Sequence, residues 1–294
     1  MLPRYTQPMN ILSIQSWVAY GHVGNGSAVF PLQRLGAEVW AIHTVQFSNH
    51  TGYGSWTGQV HSAETIRALV DGIEARGALH RCDAVLSGYW GAEDIGLAIL
   101  DTVTRVRRCN SRSLYCCDPV MGDAGPGLFV HPSIPALLQN QAVPRADILT
   151  PNQFELELLT SRPCPSLAAA KQAARELARR MHQAGPRSIL ITSLDTQETP
   201  AESIDLLAKE GDEFHLLRLP RLPMRPNGAG DALAALYLFH RLNTGSSRAA
   251  LEAAGSSLHG LLRRTPASGE GELAIIAAQD EFVAPSVRFT AQPC

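Results

Sequence analysis

Residues 226–231, Pro-Asn-Gly-Ala-Gly-Asp, are followed at once by the apolar run Ala-Leu-Ala-Ala-Leu-Tyr-Leu-Phe at 232–239. Two glycines around a small residue allow a tight turn that points several backbone N–H groups at one spot. The apolar run consists mostly of strong helix formers, so the loop is predicted to open a helix. Amides at a helix N-terminus, together with the helix dipole, favour a bound anion, most often a phosphate.

Asp231 is the last residue of this loop, and it gives the anion site a candidate base. A carboxylate here would repel a resting phosphate, yet the helix terminus keeps it ionised and aimed at the same spot. This position suits a base that takes a proton from a hydroxyl while the amides hold a transferring phosphoryl group. In the alternative interpretation, Asn227 or Asp231 simply caps the helix. The loop alone does not decide between the two.

The composition of the 294-residue chain is that of an ordinary globular protein, with 45% hydrophobic and 18% charged residues. A formal net charge of −2 argues against a nucleic-acid partner. The six cysteines form no Cys-x-x-Cys pair and no metal-like spacing, so reduced thiols are expected. Neither a signal peptide nor an apolar run of ~20 residues is evident, which predicts a cytoplasmic protein without a membrane partner.

Strand-like and helix-like patterns alternate along the sequence. The predicted strands are Met9–Ser16, Glu38–Thr44, Cys82–Ser87, Ser113–Cys117, Ala146–Leu149, Ser188–Thr192 and an antiparallel pair, Ser203–Ala208 with Phe214–Leu219. The predicted helices include Ala63–Ala75, Glu93–Arg107, Gln153–Leu159, Leu167–Gln183, Arg248–Leu262 and Glu272–Phe282. Long helices between strands predict right-handed crossovers and a mostly parallel sheet covered on both faces. Because no linker divides the chain, we expect a loose leader at 1–8 and a single domain at 9–294.

Polar residues stand at the carboxyl ends of the predicted strands, where open α/β sheets bind their ligands. These residues are Ser16, Thr44, Ser87, Asp118, Thr150 and Thr192. We expect them to lie along one rim with the loop at 228–231.

Three acidic residues, Asp118, Asp123 and Glu155, are predicted close to the anion site. Two of them could hold Mg²⁺, directly or through water, against nucleotide phosphates. Each also fits a local role: Asp118 and Asp123 suit turns, and Glu155 suits the first turn of a helix. Without any family comparison, these features favour a phosphotransferase.

The sequence resembles pyridoxal kinases of the ribokinase-like superfamily from about residue 9 to the C-terminal helix. The resemblance is carried by the Gly-x-Gly-Asp loop at 228–231 and by the stretches Ser13–Pro31, Thr44–Tyr53, Leu86–Tyr89, Cys117–Asp123 and Ile148–Glu155. It implies a three-layer α/β/α ribokinase-like fold and ATP-dependent phosphorylation of the 5′-hydroxymethyl group of pyridoxal and related vitamers. It further implies Mg²⁺, a monovalent cation (K⁺ or Na⁺) and a homodimer.

The resemblance also assigns roles to individual residues. It implies that Asp231 is the catalytic base and that Gly228, Ala229 and Gly230 form the anion hole. The implied pyridoxal contacts are Ser16, Thr44 and Tyr89. The implied nucleotide and metal contacts are Asp118 and Glu155 around Mg²⁺, Asn152 beside the phosphates, and Thr192 with Ser193.

The sequence departs from the family pattern at three places. Ala229 stands where many relatives carry threonine, Asn227 replaces a common small or apolar residue, and the short loop from Asp123 to Leu128 lacks a tyrosine that some relatives place on the nucleotide. Two alternative functions are a pyridoxal phosphate carrier with weak kinase activity and a hydroxymethylpyrimidine kinase. The acidic cluster with Asp231 argues against the carrier, and the stretch Thr44–Tyr53 argues against the pyrimidine kinase.

Overall fold

The computed structural model describes residues 8–224, 226–266 and 272–294. Its strands are β1 (Asn10–Val18), β2 (Glu38–Phe47), β3 (Gly58–Val60), β4 (Ala84–Ser87), β5 (Leu114–Cys117), β6 (Gly122–Asp123), β7 (Gly127–Leu128), β8 (Ile148–Leu149), β9 (Ser188–Leu194), β10 (Ser203–Glu210), β11 (Glu213–Pro220) and β12 (Gln292–Pro293). Its α-helices are α1 (Asn25–Arg34), α2 (Ala63–Ala75), α3 (Glu93–Cys109), α4 (Ile134–Leu137), α5 (Gln153–Thr160), α6 (Leu167–Arg180), α7 (Ala229–Thr244), α8 (Ser247–Arg264) and α9 (Asp280–Val283).

In these described ranges, ten strands form one sheet in the order β12-β11-β10-β9-β8-β5-β4-β1-β2-β3. The six central strands, from β9 to β2, pair in parallel. Antiparallel strands complete both edges, with β3 beside β2 and the run β10-β11-β12 beside β9. Strands β6 and β7 form a separate short hairpin.

Helices cover both faces of the sheet, and each face has its own apolar core. Alternation along β1 divides the strand between the two cores, since Leu12 and Ile14 belong to one and Ile11 to the other. The first core includes buried residues of α2, α3 and α6. The second includes those of α1, α7 and α8. The expected three-layer α/β/α fold with a mostly parallel sheet is therefore confirmed.

Local signals explain where several helices begin and end. Ser62, Ser166 and Ser246 each accept a hydrogen bond from a backbone N–H in the first turn of α2, α6 and α8. Gly245 ends α7 in the left-handed conformation, at φ 70°. No helix in the described part of the chain combines the length and hydropathy that a bilayer crossing requires.

Most predicted elements lie where the sequence placed them, but one predicted helix is wrong. Residues 272–282 were expected to be helical, and only Asp280–Val283 is an α-helix, preceded by turns. Leu273, Ile275 and Ala278 still enter the second core, so burial of these apolar residues is met without a continuous helix. Of the expected leader at 1–8, residues 1–7 lie outside the described ranges.

Candidate active site

One cleft of about 650 Å³ runs along the carboxyl ends of the parallel strands. Its wall beyond β1, β2 and β4 is formed by Ser16, Val18, Val23, Val45, Phe47, His50, Thr51, Gly52 and Tyr89. Its wall beyond β5, β8 and β9 is formed by Asp118, Val120, Gly122, Asp123, Pro126, Phe129, Thr150, Asn152, Glu155 and Thr192. Residues 226–231 lie between the two walls. Four of the six predicted rim residues line this cleft, namely Ser16, Asp118, Thr150 and Thr192. Thr44 and Ser87 are fully buried outside its lining, and the Ser87 hydroxyl bonds that of Tyr115 at 2.8 Å.

The central loop opens α7, as the sequence predicts. Gly228 is its N-cap and has φ 81°, in the left-handed region that favours glycine. A Cβ atom on Gly228 would also overlap the carbonyl oxygen of His22 and the hydroxyl of Ser27. Ala229, Gly230 and Asp231 are the first three residues of the helix, whose backbone N–H groups have no partner within a helix. These amides make the loop a suitable anion site.

Asp231 is held in place by the loop after β1, which is distant from it in the sequence. The backbone N–H of Gly24 donates to its Oδ2 at 2.9 Å. No described donor bonds its other oxygen, Oδ1, so that atom remains available to a ligand in the cleft. Burial raises the pKa of Asp231, and the hydrogen bond from Gly24 partly offsets this. A fixed carboxylate with a raised pKa is suited to take a proton from a substrate hydroxyl.

Ser16 and Thr44 face each other across an irregularity in the pairing of β1 with β2. Gln15 pairs with His43 but Trp17 pairs with Gln46, so β2 carries one extra residue at this point. Ser16 lines the cleft, and its hydroxyl lies so close to Gly24 that a Cβ there would overlap it.

For Thr44, which the family resemblance implies as a pyridoxal contact, the structure shows the partner of its hydroxyl. It is fully buried beneath the cleft, outside the lining residues, and its hydroxyl donates to the carbonyl oxygen of Tyr89 at 2.9 Å. Tyr89 itself does line the cleft, and burial raises the pKa of its phenol. The geometry therefore makes Thr44 a support for Tyr89.

The loop between β2 and β3 adds wall residues that the rim prediction did not include. His50, Thr51 and Gly52 border the cleft. The His50 Nδ1 accepts a hydrogen bond from the backbone N–H of Gly52 at 3.2 Å, which stabilises this turn. Burial lowers the pKa of His50, so its ring is neutral at pH 7. In the sequence, this loop is marked only by the stretch Thr44–Tyr53, which carries part of the family resemblance. No local pattern within that stretch identifies which of its residues line the cleft.

Asp118 is a buried acidic residue of the cleft. It is 6% exposed, and the hydroxyl of Thr150 donates to its Oδ1 at 2.8 Å. Burial raises the pKa of Asp118 well above the usual range, and the nearby carboxylates of Glu155 and Asp231 raise it further. Three carboxyl groups thus repel one another at one side of the cleft. Such a cluster favours a cation or a shared proton.

Glu155 has a structural task as well as a charge. Its Oε1 accepts from the backbone N–H of Met121, and its Oε2 accepts from that of Asn152, both at 2.9 Å. The Asn152 side chain in turn accepts from the backbone N–H of Glu155, completing a capping box for α5. Burial raises the pKa of Glu155 to about 8, against the opposing effect of the backbone hydrogen bonds. With both oxygens so engaged, Glu155 is better placed to bind a metal through water than directly.

The β6–β7 hairpin covers the acidic end of the cleft. The Asn152 side-chain amide donates to the carbonyl oxygen of Gly122 at 2.8 Å, which ties the hairpin to the start of α5. Asp123 accepts from the backbone N–H of Ala124 at 2.7 Å, as a turn residue does. Phe129, just after the hairpin, lines the cleft and is 52% exposed. The sequence pattern did not single out Phe129.

Thr192 and Ser193 have different surroundings. Thr192 lines the cleft, and its backbone N–H donates to the carbonyl oxygen of Pro151 at 2.9 Å. Ser193 is exposed, has φ 50° and lies outside the lining residues. Of the two, only Thr192 borders the cleft directly.

The donor set fits Mg²⁺ only if phosphate and water complete the coordination. No group of three or more His, Cys, Asp or Glu residues within 8–224, 226–266 and 272–294 has the geometry of a metal site. Mg²⁺ commonly binds through one or two carboxylates together with waters and substrate phosphates. Asp118, which has one oxygen without a described donor, can supply such a ligand. Because the cleft carboxylates repel one another, a bound cation would stabilise them.

Comparison with known proteins finds matches along nearly the whole chain. A family model described as phosphomethylpyrimidine kinase matches residues 57–275. The pyridoxal kinase PdxY of Granulibacter bethesdensis is 62% identical, with 97% of this chain and 100% of that protein covered. The pyridoxal kinase PdxY of Deinococcus radiodurans is 55% identical, with 98% and 97% covered. A solved structure, pyridoxal kinase from Leishmania donovani in complex with ADP and ginkgotoxin, has a TM-score of 0.90 at 29% identity, with 97% and 99% covered.

Proposed function

The chain belongs to the pyridoxal kinase family, and on this premise we propose that it transfers the γ-phosphoryl group of ATP to the 5′-hydroxymethyl group of pyridoxal. The products are pyridoxal 5′-phosphate and ADP. The observation that supports this best is the placement of Asp231. Its carboxylate is fixed by Gly24 at the start of α7, beside three helix-terminal amides and between the two ends of the cleft.

The vitamer occupies the end of the cleft beyond β1, β2 and β4. Ser16 offers a hydroxyl to the polar groups of the pyridine ring, and Tyr89 offers a ring face. Thr44 holds Tyr89 through its carbonyl oxygen, which makes it a positioning residue. The 5′-hydroxymethyl group points towards the central loop, within reach of Asp231.

The nucleotide occupies the opposite end, beyond β5, β8 and β9. Asn152 and Thr192 border the phosphates, and Phe129 offers an apolar surface. Asp118 would hold Mg²⁺ directly, and Glu155 would hold it through water. When bound, Mg²⁺ neutralises the charge of the phosphates so that a nucleophile can approach. The family resemblance also implies a monovalent cation, K⁺ or Na⁺, beside Mg²⁺ and ATP.

The transfer itself is an in-line displacement in which this chain positions the groups and moves one proton. Asp231 Oδ1 accepts the proton of the 5′-hydroxyl as its oxygen bonds to the γ-phosphorus. The amides of Gly228, Ala229 and Gly230 hold the oxygens of the transferring group, where negative charge is greatest. The bond between the γ-phosphorus and the β–γ bridging oxygen breaks, and ADP leaves.

We further propose that residues 9–294 form one domain, that the protein is a homodimer and that it is cytoplasmic. A single sheet that extends from residue 10 to residue 293 supports the first proposal. The six cysteines, all of them free thiols, suit a reducing compartment. Light scattering on the purified protein tests the dimer.

A coupled assay of ADP formation tests the function. Pyridoxal, pyridoxine, pyridoxamine and hydroxymethylpyrimidine are supplied separately with ATP and Mg²⁺. We expect pyridoxal to give the highest kcat/KM. A higher value for hydroxymethylpyrimidine would establish the pyrimidine kinase instead. Binding of pyridoxal phosphate with no ADP formed from any of the vitamers would establish the carrier.

A further inference from the structure

Glu272 bridges two loops that form the vitamer end of the cleft. Its Oε2 accepts from the backbone N–H of His22 at 2.7 Å, and its Oε1 accepts a short hydrogen bond from the phenol of Tyr53. His22 belongs to the loop after β1, and Tyr53 belongs to the loop after β2. One carboxylate therefore joins segments that are 31 residues apart in the chain.

The backbone around Gly21 is shaped to receive this carboxylate. Gly21 has φ 93°, and a Cβ atom there would overlap all three atoms of the Glu272 carboxylate group. The side chain of Glu272 is only 19% exposed. The carboxylate thus lies against bare backbone, where no larger residue than glycine fits. This fit indicates a specific contact between Glu272 and the first loop.

The two joined loops both border the cleft beside the contact. In the first loop, Val23 lines the cleft and Gly24 donates to the carboxylate of Asp231. In the second loop, Thr51 and Gly52 line the cleft immediately before Tyr53, which is outside the lining residues. Movement of either loop would therefore change the shape of the vitamer pocket without any direct contact from Glu272.

The first loop also reaches the anion site. The carbonyl oxygen of His22 accepts from the hydroxyl of Ser27 at 2.6 Å and lies against Gly228. Glu272 therefore binds the backbone N–H of His22, and the carbonyl group of the same residue packs against the loop at the start of α7. The same loop contacts Asp231 through Gly24 and lies against Gly228.

We propose that Glu272 is a positioning residue that holds the loops after β1 and β2 together and so sets the vitamer pocket for phosphoryl transfer. The proposal rests on the proposed function for its substrate. Glu272 lies outside the lining residues of the cleft. It acts through His22 and Tyr53.

Variants of Glu272 separate this role from general stability. Glu272→Ala removes both contacts, and we expect kcat/KM for pyridoxal to fall at least about tenfold, because small misplacements of a pocket are costly. The KM for ATP should stay within about twofold, since the nucleotide end is formed by other strands. Glu272→Gln should restore most of the activity, because its amide can accept from His22 N–H and donate to the Tyr53 oxygen.

Tyr53→Phe tests the route of the effect. It removes one contact and leaves the bond to His22, so we expect an intermediate loss for pyridoxal. In the Glu272→Ala background the same change should cost less than it does in the parent, because the bond between Tyr53 and Glu272 is already absent. Additive losses would overturn the proposal, since they would mean that Tyr53 acts independently of Glu272.

Glu252→Ala is the matched control. Its carboxylate also holds a backbone N–H, that of Ala291 at 3.0 Å, and it lies outside the cleft, against the C-terminal segment. We expect this variant to lower the Tm without a specific change in the KM for pyridoxal. A kcat/KM for pyridoxal within twofold of the parent in Glu272→Ala, or an equal rise in KM for ATP, would overturn the proposal.

Hydrogen exchange of the His22 amide gives a readout that does not depend on turnover. We expect protection in the parent and in Glu272→Gln, and faster exchange in Glu272→Ala. If the parent protein did not phosphorylate pyridoxal, the proposed function would be wrong. The exchange measurement would still test the contact between Glu272 and His22. Equal protection in all three proteins would overturn the contact itself.

Discussion

The backbone N–H of Gly24 lies 2.9 Å from Oδ2 of Asp231, a hydrogen bond between residues 207 positions apart in the chain. It joins the loop after β1, which borders the vitamer end, to the first turn of α7, which carries the anion site. The bond also fixes one carboxylate oxygen and leaves the other for a substrate. The proposed vitamer pocket and the proposed base are therefore both contacted by the same loop.

Gly24→Ala should break the contact between the loop after β1 and Asp231. Gly24 has φ 53°, and a Cβ atom would overlap the hydroxyl and carbonyl oxygens of Ser16. The loop must shift, so the hydrogen bond to Asp231 is lost, and we expect kcat with pyridoxal to fall by roughly 10²-fold. Steady-state kinetics with varied pyridoxal measures the effect.

Gly77→Ala is the control for backbone strain alone. Gly77 has a similar φ of 66°, but a Cβ atom there would meet no atom within 4 Å. A side chain is strained at positive φ in both variants, so both should lower the Tm. Equal activity losses in the two would contradict a specific role for Gly24.

The buried carboxyl groups predict how stability depends on pH in the absence of a divalent ion. Burial raises the pKa of Asp118 and of Glu155, the latter to about 8. The folded protein therefore binds these protons more tightly than the unfolded chain does. Their stabilising contribution is complete below the ordinary carboxyl pKa and is lost as the pH rises through the raised values. We expect these two groups to lower the Tm in chelator as the pH rises from about 5 to 8.

Asp118→Asn isolates this contribution. The amide removes one charge from the cluster, so the fall in Tm with pH should become shallower and the metal-free variant should be more stable than the parent at pH 8. Mg²⁺ with nucleotide should raise the parent Tm more at pH 8 than at pH 6, because protons compete with the metal. A parent Tm that rises across this range in chelator would contradict the assignment.

The hydroxyl of Thr44 should act through Tyr89. Thr44→Val removes the bond to the Tyr89 carbonyl oxygen while keeping the side-chain shape. We expect the KM for pyridoxal to rise about fivefold to tenfold, the effect of roughly one hydrogen bond, with the KM for ATP nearly unchanged. Thr102→Val is a matched control, since Thr102 is buried and donates to the Ala98 carbonyl oxygen within α3. A rise in both constants for Thr44→Val would show that the two ends of the cleft have been assigned wrongly.

Ala229 allows a test by gain of function. It is the first residue of α7 and borders the cleft. If a hydroxyl here bonds a phosphate, Ala229→Thr should improve kcat/KM for ATP by at most about 1.5–3 kcal/mol. Ala229→Val has the same shape without the hydroxyl and serves as the control. Equal effects of the two substitutions would mean that the backbone amide alone serves the phosphate.

The rim of the site was predictable from the sequence because its cause is local. Strand ends are marked by apolar runs that stop at polar residues, and parallel strands end at one edge of the sheet. Ser16, Asp118 and Thr192 accordingly line the cleft as expected. The capping of α5 by Asn152 and Glu155 is likewise a short-range pattern.

The remaining features depend on contacts that no local pattern encodes. β2 carries an extra residue opposite Ser16, and Thr44 at this point is fully buried and outside the cleft wall. The bonds of Gly24 to Asp231 and of His22 to Glu272 join distant parts of the chain. The apolar residues within 272–282 fit a helical pattern, yet packing against the second core is satisfied by turns.

Asp231→Asn measures the central claim most directly. The substitution keeps the shape of the side chain, and an amide oxygen can still accept from Gly24, but the base is removed. We predict that single-turnover phosphorylation of pyridoxal falls by roughly 10²–10⁴-fold, while the dissociation constants for pyridoxal and for ATP with Mg²⁺ change little. A single-turnover rate within threefold of the parent would contradict the assignment of Asp231 as the base.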